Sequence, residues 1–125
     1  MGVHARGVPF HVSTDEFDHM VEVALDSIAA PLRARMNADN LMIVVQPDHD
    51  ADLDERILGF YQGGTASTFS AYEYPKRIVL LQRHIENWCT TRAELVDQVT
   101  DTVLHEVAHY FGMNHNDIGQ TRLRH

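Results

Sequence analysis

Apolar positions along the chain follow two periods. Phe17, Val21, Ala24, Leu25 and Ile28 recur at helical spacing, which predicts an amphipathic first helix with that face toward the core. Ser13 stands ready to cap it, Glu16 follows three residues on as in a capping box, and Val12 and Phe17 have staple spacing. Pro31 weakens or ends this helix, and Leu32 and Met36 continue it as a short second turn. A second helical stripe, Val96, Val99, Val103 and Val107, runs on toward Gly112. Thr91 and Glu94 give it the same capping spacing, and the glycine is its natural stop.

Between the helices the period changes. Leu41-Met42-Ile43-Val44-Val45 is a short branched apolar run and reads as a buried strand. Ile57 to Gln62 reads as a second strand, with Gly63-Gly64 as its turn, and Arg77 to Gln82 as a third. Pro47 and an acidic loop (Asp48, Asp50, Asp52, Asp54, Glu55) follow the first strand. Residues 65–75, with Phe69, Tyr72 and Tyr74, read as a loop, and a short helix is expected from about His84 to Cys89. The prediction is an α+β fold, with a small mixed sheet of about three strands packed against helices. One domain spans 1–125, and residues 1–12 are a flexible N-terminal segment without the apolar run of a signal peptide.

Composition narrows the function. Eighteen acidic residues against ten basic ones give a net charge of -8, which argues against a nucleic acid bound mainly through its phosphates. No apolar stretch is long enough to span a membrane. A single cysteine, Cys89, excludes an internal disulfide and suits the cytoplasm. Nine histidines are many for 125 residues.

Three of those histidines fall in His105-Glu106-Val107-Ala108-His109-Tyr110-Phe111-Gly112-Met113-Asn114-His115, which reads HExxHxxGxxH. Four residues apart on a helix, His105 and His109 lie about 40° apart around the axis, so both imidazoles can reach one Zn²⁺. Glu106 adjoins the first ligand and can act as general base toward a water at the metal. In a continuous helix His115 would point about 240° away from His109 and lie about 9 Å further on. It can share the metal only if the helix stops, and Gly112 allows that. The motif therefore predicts a helix end between residues 110 and 113. Three histidines leave one coordination position for water, as a catalytic zinc requires. The full motif arises by accident in about one chain in ten thousand of this kind, against roughly 3–4% for HExxH alone.

HExxHxxGxxH resembles the zinc signature of the metzincins, which implies His105, His109 and His115 as ligands and Glu106 as base. Metzincins add a Met-turn well downstream, however, and only ten residues follow His115 here. Met113 lies inside the motif and is not that turn. The chain is more similar to the minimal zincin-like metallopeptidases of bacteria, over about residues 15–118. The likeness includes Val21 to Asp26, Leu58-Gly59-Phe60-Tyr61-Gln62-Gly63, the Pro75 to Ile78 segment and Val103 to Gly112. It implies a small mixed sheet with the HExxH helix, near the C-terminus, beside an edge strand.

The leading expectation is a zinc-dependent peptidase with one Zn²⁺ and a peptide or protein substrate. Bacterial endonucleases of ribosomal RNA maturation have three histidines at the same spacing but a glycine where Glu106 stands, so a metal-dependent endoribonuclease is the alternative. A third reading is a catalytically weak zinc-binding module that acts through a protein partner. Other residues are read more plainly. The acidic run lacks the glycine and the glutamate of a calcium loop. His4, His11, His19, His49, His84 and His125 are surface or capping residues. Asp101, one turn before His105, is an exposed carboxylate or a partner for that ring. Tyr110 and Phe111 are packing residues, Tyr61, Tyr72 and Tyr74 can line a cleft, and Cys89 is a small buried hydrophobe.

Overall fold

A computed structural model describes residues 7–63 and 76–112. The first helix, α1 (Thr14–Asp26), starts where its cap predicts: the Ser13 hydroxyl accepts the Glu16 N–H at 3.1 Å. Phe17, Val21, Ala24, Leu25 and Ile28 are all buried. Pro31 does not merely end this helix. It sits in the first turn of a separate one, α2 (Ala30–Ala38), where its missing N–H is no loss.

Three strands follow: β1 (Leu41–Gln46), β2 (Gly59–Gln62) and β3 (Lys76–Leu81). Their spatial order is β1-β3-β2, with β1 parallel and β2 antiparallel to β3. Burial follows the order: β3, at the centre, buries Ile78 to Leu81, whereas Met42 of β1 is 54% exposed and β2 is only half-buried. β2 is shorter than expected at its start, because Ile57 closes a turn on the Asp54 carbonyl. The expected α+β class with a three-stranded mixed sheet is therefore present.

Two helices complete the described chain, α3 (Gln82–Glu86) and α4 (Arg92–Tyr110). Thr91 caps α4 by accepting the Glu94 N–H at 3.1 Å. Arg92, just inside the cap, pairs with Glu16 of α1. α4 packs against α1, β2 and β3, and Leu95, Val99, Val103, Leu104 and Val107 bury almost completely on that side. No helix of the described residues is long and apolar enough to cross a membrane.

Polar burial gathers at α3. The Glu86 carboxylate is fully buried and accepts from His11 Nδ1 (2.8 Å), Val12 N (3.1 Å), Gln82 Nε2 (2.9 Å) and Arg83 Nη1 (3.1 Å). Phe10 N donates to the Cys89 carbonyl at 2.7 Å. Residues 10–12 of the segment expected to be flexible are thus tied to α3 and the turn after it; residues 1–6 lie outside the described ones. His84 also departs from expectation. It is not a surface residue but fully buried, stacked on the His49 ring at 4.6 Å, with Nε2 accepting the Asp50 N–H at 3.2 Å. That bond puts the proton of the neutral ring on Nδ1, and holds one end of the acidic loop to α3. Cys89 is buried as expected.

Candidate metal centre

The geometry of α4 sets out the candidate residues. Its core stripe fixes which side faces water. Because Val99, Val103 and Val107 point inward, His105 and His109 fall on the exposed side. Their ring centroids lie 4.1 Å apart, edge to face. Glu106 is half-buried, at the margin between core and solvent.

His105 and Glu106 line an open cleft of about 400 Å³. Gln98, Asp101 and Thr102 continue that wall along α4, and Arg56, Ile57, Leu58 and Gly59 form the other at the start of β2. Asp101 is exposed and shares the cleft with His105. Gly59 lets β2 lie close against β3 at the edge of the cleft, with Glu106 in contact beside it. A Cβ there would stand 2.9 Å from the Val79 carbonyl oxygen and 3.4 Å from Glu106 Cγ. A glycine within a strand signals such an approach, but its neighbour comes from the fold alone.

α4 stops where a third ligand would require. Tyr110 is its last residue, the Phe111 N–H closes on Val107 O at 3.1 Å, and Gly112 turns with φ +70° and bonds His109 O at 3.0 Å. A left-handed φ suits glycine best. The expected helix end between residues 110 and 113 is met. His115 and Met113 lie outside the described residues, as do Tyr72 and Tyr74. Among the described residues no group of three His, Cys, Asp or Glu side chains is placed to hold a metal.

Beside the helix end, Tyr110 Oη donates to Asp39 Oδ2 at 2.6 Å. The Tyr110 bond, more than any other interaction, holds the Asp39 carboxyl below the usual carboxylate range, and Arg35 adds to the effect. Burial, then the same bond, pushes the Tyr110 phenol up. Tyr61 packs on Tyr110 with ring centroids 5.6 Å apart, and burial raises its phenol too. Tyr110 is therefore more than a packing residue, since it carries a polar anchor.

Two neighbouring imidazoles on the exposed face have the donor chemistry a zinc ion takes, since neutral ring nitrogens are its common ligands. A family model for zincin-like metallopeptidases matches residues 38–124. The chain belongs to that family. The match begins in the last residue of α2 and takes in the sheet, α3, α4 and the whole HExxHxxGxxH motif. α1, with its Val21 to Asp26 likeness, lies upstream of it. No curated protein matches the chain.

Proposed function

We propose that this member of the zincin-like family is a zinc-dependent peptidase. His105, His109 and His115 hold one Zn²⁺, and Glu106 is the general base. What supports the reading above all is Glu106 itself, a carboxylate that lines a cleft one residue from the first of two adjacent, exposed imidazoles. When bound, zinc supplies Lewis acidity, polarising a scissile carbonyl and acidifying water. Glu106 takes a proton from the attacking water as its oxygen bonds to the carbonyl carbon. It then delivers that proton to the leaving nitrogen as the C–N bond breaks.

The substrate is a peptide or protein segment in extended form. β2 has β3 on one side and, among the described residues, no strand on the other. A peptide added along that free edge would run past the cleft and bring its backbone to Glu106. The net charge of -8 disfavours RNA in the same place. Cytoplasmic residence belongs to the same reading and suits the single, buried Cys89.

The test is Glu106→Gln. Zinc content should stay at one ion per chain while peptide hydrolysis falls at least a hundredfold. A variant that hydrolyses as fast as the wild type removes Glu106 from the mechanism.

A further inference from the structure

α4 ends in contact with a corner of the fold built from other elements. Asp39 is the C-cap of α2, its N–H bonded to Arg35 O at 2.9 Å and its carboxylate approached by Arg35 Nε at 3.3 Å. Asn40 follows with φ +57°, a left-handed turn that asparagine tolerates, and β1 begins at the next residue. The Asp39 carboxylate is thus fixed from its own side before Tyr110 reaches it. Tyr110 is fixed from a second side by the Tyr61 ring of β2, and its ring meets Phe111 edge to face with centroids 4.9 Å apart.

We infer that the Tyr110–Asp39 hydrogen bond is a positioning device for the metal centre, holding the last turn of α4 so that His109 and the Gly112 turn keep their place. The inference rests on the proposed ligand set. Its reason is local. The final turn of a helix frays, because its carbonyls lack intrahelical partners, and His109 sits in that turn. The Gly112 N–H satisfies the His109 carbonyl, but this bond is itself part of the terminal turn and moves with it. Tyr110 gives the turn its one described side-chain hydrogen bond to another element, 71 residues earlier in the chain. The bond is short and its acceptor is a carboxylate, so it is among the stronger of its kind.

Tyr110 touches no substrate in this scheme and acts through His109. Removing its hydroxyl lowers the fraction of molecules with the helix end in place, and apparent zinc affinity falls by that fraction. Tyr110→Phe keeps the ring packing on Tyr61 and loses only the anchor.

The experiment measures zinc affinity by competition with a chromophoric chelator, and the visible absorption of the Co²⁺-substituted protein, at a temperature where every variant is folded. Tyr110→Phe and Asp39→Ala are each expected to bind zinc about tenfold more weakly, with a broadened cobalt spectrum. Asp39→Asn, whose amide oxygen can still accept from the phenol, should recover most of the affinity. Thr91→Ala loosens the opposite end of the same helix and should leave affinity and spectrum at wild-type values. Wild-type affinity and spectrum in Tyr110→Phe, or an equal loss in Thr91→Ala, would overturn the positioning role. A wild-type protein whose zinc binding does not depend on His109 would overturn the metal site itself, a distinct result.

Discussion

Gly59→Ala sets two opposed effects against each other at one atom. Replacing a strand glycine normally stabilises by about 0.5–1 kcal/mol, since the unfolded chain loses freedom. Here the new methyl would lie 2.9 Å from the Val79 carbonyl oxygen, 3.3 Å from Leu80 Cδ2 and 3.4 Å from Glu106 Cγ. The Leu80 methyl can swing aside, but the carbonyl belongs to the central strand and is held by the sheet. β2 must therefore withdraw by roughly half an ångström to restore ordinary contact distances. Overpacking of this sort costs about 1–3 kcal/mol and outweighs the backbone gain, leaving a net loss centred on about 1 kcal/mol. The midpoint of thermal unfolding, followed by circular dichroism, should then fall by roughly 4–8 °C. Displacement of Glu106 relative to a peptide on β2 should also slow hydrolysis by about tenfold, given that a 1 Å misplacement can cost a hundredfold. Zinc affinity should be unchanged, because neither imidazole meets the new methyl. A midpoint that rises, as the backbone effect alone would give, refutes the close approach of Gly59 to the Val79 carbonyl of β3.

Two further substitutions probe the frame around the site. Glu86→Ala removes a buried carboxylate that accepts four hydrogen bonds, and should destabilise by about 3–5 kcal/mol in urea unfolding; a loss under 1 kcal/mol would mean that the N-terminal segment is not held there. Tyr110→Phe in metal-free protein should lose roughly 1.5–3 kcal/mol at pH 7. Because the folded state lowers the Asp39 pKa, the contribution is present above the unfolded carboxylate value of about 3.9 and disappears as pH falls through the folded one. The gap between wild type and variant should therefore shrink in urea titrations at pH 3, and an equal gap at both pH values would show that Asp39 is not the charged acceptor.

Local signals in the sequence were enough for α1, α4 and the three strands, but not for α2 as a helix of its own or for the strand order. Ser13 and Thr91 cap where their spacing says, since a cap bond reaches only three residues along the chain. The stop at Gly112 followed from one steric demand, that a third ligand cannot share a straight helix. Contacts between distant segments were not legible. His84, Gln82 and Glu86 look like an ordinary polar stretch, and their burial depends on His11 and Val12, 70 to 75 residues away, and on Asp50. Gly59 was visible as part of a family likeness but not as the neighbour of Glu106. Asp39 carried no motif at all, and its link to Tyr110 exists only once α2 and α4 are packed into one fold.

Cys89 and Trp88 stand side by side, the chain's sole thiol and sole indole. The thiol is 2% exposed, and the indole N–H donates to the Glu55 carbonyl at 3.1 Å. A thiol reagent can reach the sulfur only when the corner between α3 and α4 opens. The rate of its labelling under native conditions is therefore a clock for that opening, and indole emission reports release of the acidic loop from the same corner. The molecule carries its own pair of probes for deciding whether this corner breathes separately or only with global unfolding.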